Sequence, residues 1–164
     1  VLLMAFATQV GADGVKSWKV VSSSVFSVLP TWLSYTDPRY GAPLGTAPEG
    51  TGFAISDHGH IITASHVIAK ATNVSVKNLK GEIFNAEPLF ISHETDLAIL
   101  KVKMRTDKAF FSPQLPVIGS QTCLPSNAFG IGIGITCGVV SALGISVLVL
   151  TKLKILYRRI LRQI

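Results

Sequence analysis

Charged side chains are scarce in this sequence and unevenly distributed. They make up 15% of its 164 residues, whereas hydrophobic residues make up 48%. The last 13 residues carry five basic side chains and no acidic one, and the other 151 residues carry ten basic and nine acidic ones. A nucleic-acid-binding surface needs several cations on one face, so the nearly neutral body of the chain predicts no nucleic-acid partner.

Cysteine is equally rare, which limits the metal sites that the chain could build. Cys123 and Cys137 are the only two, and no CxxC pair exists. This pattern argues against a zinc site and leaves open whether the two cysteines form a disulfide. His58 and His60, which flank a glycine, and His93 are predicted to be solvated turn or loop residues and not metal ligands. We predict neither a metal nor a cofactor.

Glycine and proline are frequent, and they indicate a turn-rich, all-β protein. The chain holds 14 Gly and 8 Pro, and the prolines between Leu29 and Glu49 predict a long surface loop. Further along, Asp57–Gly59 is predicted to be a hairpin turn and Ala64–Ala71 to hold one or two helical turns. The predicted strands are 19–28, 52–56, 60–63, 74–78, 83–91 and 97–102. Six short strands of this kind fit a small closed barrel.

Long apolar segments lie near both ends of the chain. Ala128–Leu150 is an uncharged run of 23 residues, long enough for a transmembrane helix, although its glycines and β-branched residues suit buried strands. The tail 145–164 turns from apolar to basic and suits either a membrane-contacting amphipathic helix or an unrelated substitute end. Val1–Val10 fits either the remnant of a signal peptide or a first strand.

Three short segments stand out because they occur together in a fixed order. They are Gly50–Ser56 (GTGFAIS), Gly59–Val67 (GHIITASHV) and Thr95–Val102 (TDLAILKV). Together they resemble the HtrA (Deg, or Do-like) family of trypsin-fold serine endopeptidases, in which T-x-x-H-V carries a catalytic histidine and D-L-A-x-L-K-V a catalytic aspartate. Thr136–Gly144 (TCGVVSALG) is similar to the strand that opens the second barrel of that family. The resemblance covers about 20–144.

The resemblance implies an all-β, trypsin-like double β-barrel whose first barrel is complete and whose second is only partly present. Residues 19–108 would form the first barrel, and 109–144 would begin the second. A possible signal-peptide remnant or disordered N-terminus (1–18) would precede them, and a divergent apolar-basic tail (145–164) would follow.

His66 and Asp96 are the two site residues that the resemblance assigns. A serine hydroxyl is a poor nucleophile at neutral pH, so a neutral imidazole has to remove its proton and a buried carboxylate has to orient that imidazole. His66 follows a predicted strand and Asp96 precedes one, which predicts that both lie at strand ends on one rim of the barrel.

The nucleophile of the family is absent from this sequence. The family's serine lies in G-N-S-G-G, and the serines that follow Asp96 lack a following Gly-Gly; they are Ser112, Ser120, Ser126, Ser141 and Ser146. Cys137, within GITCG, faintly resembles the cysteine nucleophile of viral proteases with this fold. We therefore expect a chain truncated before the nucleophilic serine and inactive by itself. The alternatives are a non-catalytic pseudoprotease that binds partners, and a membrane-anchored domain with a span near 128–150.

The resemblance also implies a class of partner and a compartment. Members of the family cleave polypeptides, often unfolded or damaged ones, so polypeptides are the expected substrates. Homo-oligomer formation and membrane contact through the C-terminal tail stay open. An extracytoplasmic location, periplasmic or secretory, or an organellar one is favoured.

Overall fold

The computed structural model describes residues 14–33, 47–109, 112, 114–127, 130 and 132–143. The segments Val1–Val10 and 145–164, for which a signal-peptide remnant and a membrane-contacting tail are predicted, lie outside the described residues. The elements in chain order are α1 (Gly14–Val21), a 3₁₀ turn (Ser22–Ser24), β1 (Val25–Thr31), β2 (Gly50–Ala54), β3 (His60–Thr63), α2 (Ser65–Ile68), β4 (Asn73–Lys77), β5 (Ile83–Ser92), β6 (Leu97–Val102), β7 (Gln121–Ser126) and β8 (Gly134–Val139).

Six antiparallel strands form a closed barrel in the order β1-β2-β3-β6-β5-β4, and β4 pairs back onto β1. The prediction of a small closed barrel is therefore confirmed. β3 and β6 begin and end at the predicted residues, and they lie side by side with Thr63 opposite Ala98. This pairing matters for the site, because the residues that follow β3 and those that precede β6 meet at one end of the barrel.

The core explains why β6 reads as an almost unbroken apolar run. Ala98, Leu100 and Val102 point into the barrel and are at most 1% exposed. Leu97 and Ile99 point to the opposite face, where a second cluster includes Ile62 and the partly buried Ile133. Since the strand is covered on both faces, apolar side chains are favoured at consecutive positions and the usual alternation disappears.

The predicted strand over 19–28 is wrong in its first part. Residues up to Val21 form α1, the next three form a 3₁₀ turn, and β1 starts at Val25 and continues through Pro30, which pairs with Val74. Val15 and Trp18 are three residues apart, a spacing that puts both on one face of a helix, and both line a groove against β8. No residue of α1 is buried and Val20 is 63% exposed, so this Val-rich segment lacks the half-buried sheet position in which β-branched residues are favoured.

β7 and β8 form a separate two-stranded antiparallel sheet, so the second barrel is represented only in part. Cys123 and Cys137 are direct partners in this ladder and are joined by a disulfide, which settles the pairing that the sequence left open. Because Gly134–Val139 is a strand, a single helix over 128–150 is not formed. Across the described part of the chain, no helix combines the length and apolar character that crossing a bilayer requires.

Candidate active site

The barrel brings His66 and Asp96 together although 30 residues separate them. His66 lies in α2, directly after β3, and Asp96 ends the turn that leads into β6. The backbone N–H of Ser65 donates to the carbonyl oxygen of Asp96 at 3.2 Å, which extends the β3–β6 pairing by one more contact. Both predicted site residues therefore lie at adjacent strand ends on one rim of the barrel.

Three donors hold the Asp96 carboxylate. The backbone N–H of His66 and the hydroxyl of Ser65 donate to Oδ1 at 2.9 and 3.0 Å, and Nδ1 of His66 lies 2.7 Å from Oδ2. An ionised carboxylate can only accept hydrogen bonds, so Nδ1 of the neutral ring must carry the proton. The lone pair is then on Nε2, the ring atom that a general base needs.

The backbone of Asp96 adopts a left-handed conformation with φ of 52°, and it is the only non-glycine residue with positive φ in the described segments. Aspartate tolerates this region better than most residues because its short polar side chain bonds locally. Here the side chain bonds back to residues 65 and 66. Unusual backbone conformations of this kind concentrate at functional sites.

The two side chains differ in exposure, which suits their different roles. The Asp96 side chain is 29% exposed and that of His66 is 64% exposed. Burial raises the pKa of Asp96, but the backbone and ring donors of His66 and the hydroxyl of Ser65 together outweigh it and leave that pKa below its ordinary value. The carboxylate thus stays charged at neutral pH while the imidazole faces solvent.

Ser65 is a contributor that the sequence analysis missed. It is 2% exposed and bonded to Asp96 through both its backbone and its hydroxyl. The available signal was its place next to the histidine at the start of a short helix, where a serine side chain reaches nearby polar groups.

The other histidines do not join this site. His93 is exposed, as predicted, and His58 is exposed with Nδ1 2.6 Å from the Asp57 carboxylate. The prediction for His60 is wrong, because its side chain is 6% exposed and its Nδ1 lies 2.7 Å from the Ser56 hydroxyl. Strand alternation puts this ring on the face of Ile62 and not on that of Ile61, which lies in the barrel core, and the Ser56 hydroxyl supplies the partner that a buried imidazole needs.

The buried position of His60 predicts a pH-dependent stability. Burial lowers its pKa below 6.5, and the charges of Lys101 and His58 act in the same direction. The unfolded chain therefore binds a proton before the folded one does, so this stabilisation is present above the unfolded pKa and is lost as pH falls through the folded pKa. Urea unfolding at pH values on both sides of 6.5 should show the loss, and His60→Phe should remove it.

His58→Gln serves as the control, because His58 is exposed and its loss should leave most of the pH dependence in place. Equal pH profiles for the unmodified chain and for His60→Phe would contradict the assignment.

Cys137 is excluded as a nucleophile in this state. Its sulfur is bonded to Cys123, so it carries no thiol that a base could deprotonate. Within the described residues, the ring of His66 is hydrogen bonded to Asp96, and no serine hydroxyl is bonded to it. The base and its orienting carboxylate are present, and the group that they would activate is not seen beside them.

Comparisons with known proteins show what this chain is similar to. The family model described as a trypsin-like peptidase domain matches residues 50–145. A probable periplasmic, DegP-like serine endoprotease of Bartonella henselae is 36% identical over 98 residues, which cover 58% of this chain and 20% of the relative. The corresponding protein of Brucella suis is 32% identical over 130 residues, which cover 73% of this chain and 25% of the relative.

The fold comparison points the same way. The crystal structure of the serine endoprotease from Yersinia pestis has a TM-score of 0.69 and 25% sequence identity, and the match covers 83% of this chain and 47% of that one. This chain spans about a fifth to a quarter of the length of these curated relatives. The described architecture is accordingly a trypsin-like fold with a closed first barrel and part of the second. The chain belongs to the trypsin-like peptidase family, in its HtrA/Deg branch.

Proposed function

We propose that His66 and Asp96 are the base half of a serine endopeptidase site. The observation that carries the proposal is the 2.7 Å contact between His66 Nδ1 and Asp96 Oδ2, with the second carboxylate oxygen held by two further donors. In the neutral ring this geometry leaves the lone pair on Nε2, and the exposed ring presents it to an incoming hydroxyl.

The chemistry follows from the states of these two groups. Nε2 of His66 removes the proton from a hydroxyl as that oxygen attacks a peptide carbonyl carbon, and the imidazolium that forms is stabilised by the charged Asp96. The same proton then passes to the amine that leaves. Asp96 stays ionised throughout, and its lowered pKa suits that role.

These 164 residues contain no G-N-S-G-G segment, in which the serine hydroxyl of the family lies. That segment would also provide backbone N–H donors for the oxyanion. We therefore propose that the 164-residue polypeptide is inactive by itself. A non-catalytic role, in which the retained half of the cleft binds polypeptides, is the second candidate, and the absent segment favours it.

Polypeptide substrates and an extracytoplasmic location complete the proposal. The relatives are named as periplasmic serine endoproteases. The disulfide between Cys123 and Cys137 fits an oxidising compartment, where such bonds persist.

The first test is hydrolysis of casein by the purified 164-residue chain and by its His66→Ala variant. We expect equal, background rates, since a base without a nucleophile forms no acyl-enzyme. Turnover that disappears in His66→Ala but survives Cys137→Ala would mean that a serine of this chain is the nucleophile. Turnover lost in Cys137→Ala would instead identify the cysteine.

A chimaera tests the base half directly. Residues 50–109 of this chain replace the matching segment of the Brucella suis relative, whose remaining chain is meant to supply the nucleophile. We expect casein hydrolysis that falls on the order of 10⁴-fold in Asp96→Asn, because the ring then loses its correct tautomer. His58→Ala is the matched control and should keep full activity. A folded chimaera that binds casein without cleaving it would support the non-catalytic role.

A further inference from the structure

We propose that Ser65 is a positioning residue for the His66–Asp96 pair, and that its hydroxyl locks the carboxylate with Oδ2 facing the imidazole. This inference rests on the proposed function. The residue touches neither the reacting atoms nor the substrate in this scheme. It acts through Asp96.

The contacts of Ser65 are directed at a single residue. Its backbone N–H donates to the Asp96 carbonyl at 3.2 Å, and its hydroxyl donates to Oδ1 of the same residue at 3.0 Å. Ser65 is 2% exposed, so water does not compete easily for the hydroxyl. The direction of the second bond is settled by chemistry, because an ionised carboxylate cannot donate.

The orientation of the Asp96 carboxylate matters because its two oxygens accept from different donors. Oδ2 accepts from the His66 ring, and Oδ1 accepts from the His66 backbone and from Ser65. The side-chain torsion of aspartate that turns its carboxylate is broad and roughly two-fold, so one donor on Oδ1 constrains it weakly. Two donors that approach Oδ1 from consecutive residues define the plane, and the plane sets the angle of the imidazole.

The charge of Asp96 depends on the same bond. Burial raises the pKa of this carboxyl, and the His66 donors followed by the Ser65 hydroxyl lower it. Removing one donor to the charged form should therefore raise the pKa of Asp96, because the ionised carboxylate is then stabilised less. A serine that only filled space beside Asp96 would have no such effect.

The test measures the titration of Asp96 by carbon NMR of its carboxyl carbon in the 164-residue chain. We expect Ser65→Ala to shift the midpoint upward and Ser65→Thr, which keeps the hydroxyl, to restore it. Asp57 is the internal control, because its pKa is lowered chiefly by its own backbone N–H and it lies at the other end of β3. Its midpoint should stay unchanged in both variants.

Nitrogen NMR of the His66 ring gives a second readout. The unmodified chain should show the form protonated at Nδ1, and Ser65→Ala should show a mixture of the two neutral tautomers. An unchanged Asp96 midpoint together with an unchanged tautomer in folded Ser65→Ala would overturn the proposal. If Ser65→Ala does not fold, Ser65→Cys carries the same expectation, since a thiol fills the site but donates weakly.

These readouts need no nucleophile, so they separate this inference from the proposed function. A chimaera without His66-dependent turnover would refute the base role and leave the Ser65 titration result standing. In an active chimaera, Ser65→Ala should lower kcat while KM is kept, because substrate binding does not involve the carboxylate. A change in KM alone would count against the positioning role.

Discussion

Gly59→Ala is expected to destabilise the first barrel by on the order of 4 kcal/mol. Gly59 has φ of 84°, where an L-residue costs about 1–2 kcal/mol more than glycine. A Cβ atom added there would also overlap the carbonyl oxygen of Val102 and lie 2.8 Å from that of Met104. Both atoms belong to the backbone, so no side-chain rotation can relieve the overlap.

Hydrogen bonds around Gly59 explain why its backbone cannot shift to make room for a Cβ atom. Its carbonyl accepts from the Val102 N–H at 2.9 Å, and its own N–H donates to Oγ1 of Thr106 at 3.1 Å. The same Thr106 hydroxyl donates to the Ser56 carbonyl at 2.6 Å. The β2–β3 turn is therefore tied to the chain that leaves β6, and any shift of Gly59 breaks these bonds.

Gly81→Ala is the matched control for this prediction. Gly81 has nearly the same φ, 82°, but no heavy atom lies within 4 Å of a Cβ placed there. Gly81→Ala should lower the free energy of unfolding only by the cost of placing an L-residue at positive φ, about 1–2 kcal/mol. Urea unfolding followed by circular dichroism measures both losses. Equal losses would show that the backbone overlap at Gly59 contributes nothing.

Removing the Cys123–Cys137 disulfide is expected to lower the free energy of unfolding of the β7–β8 sheet by about 3 kcal/mol, which is the chain-entropy value for a loop of this length. The described part of this sheet has only two strands, and an isolated two-stranded hairpin is marginally stable in water. Helix α1 contacts the bridge as well, since a Cβ on Gly14 would lie 3.2 Å from the Cys137 sulfur. The cross-link therefore supports the sheet and the helix against it.

Amide hydrogen exchange in a Cys123→Ser, Cys137→Ser double variant measures the effect. Exchange of the β7–β8 amides should quicken about 100-fold, since each 1.4 kcal/mol is a factor of ten. The amides of β6 provide the internal control and should keep their rates, because that strand is closed within the first barrel. Unchanged exchange in β7 and β8 would mean that packing alone holds the sheet.

One polar link explains why loosening β7 and β8 should not detach them completely. Asn127, which follows β7 and is 3% exposed, donates its backbone N–H to Oγ1 of Thr51 at 2.8 Å. Its side-chain amide donates to the Glu49 carboxylate at 2.5 Å, and its side-chain oxygen accepts from the Gly132 N–H at 3.0 Å. The start of β2 and the end of β7 are thus joined by hydrogen bonds that do not depend on the disulfide.

Much of the first barrel could be predicted from local pattern because its strands are short and their turns carry strong signals. β3 begins directly after Gly59, and β6 begins directly after the turn that ends at Asp96. His66 and Asp96 could be chosen because each lies in a specific motif. The 2.7 Å contact between their side chains could not be predicted, because it depends on β3 and β6 being neighbours with Thr63 opposite Ala98.

The remaining features depend on contacts between residues far apart in the chain. Trp18 lies in α1 and lines a groove with residues of β8, and His60 is buried with its Nδ1 against the Ser56 hydroxyl. The hydroxyl of Ser65 reaches Asp96 only once two strands have paired. Residue type and spacing determined which strands form and which side chains could do chemistry, because these depend on local conformational preference. Tertiary structure decided which polar groups meet, because a buried donor finds its acceptor only where the packed chain places one.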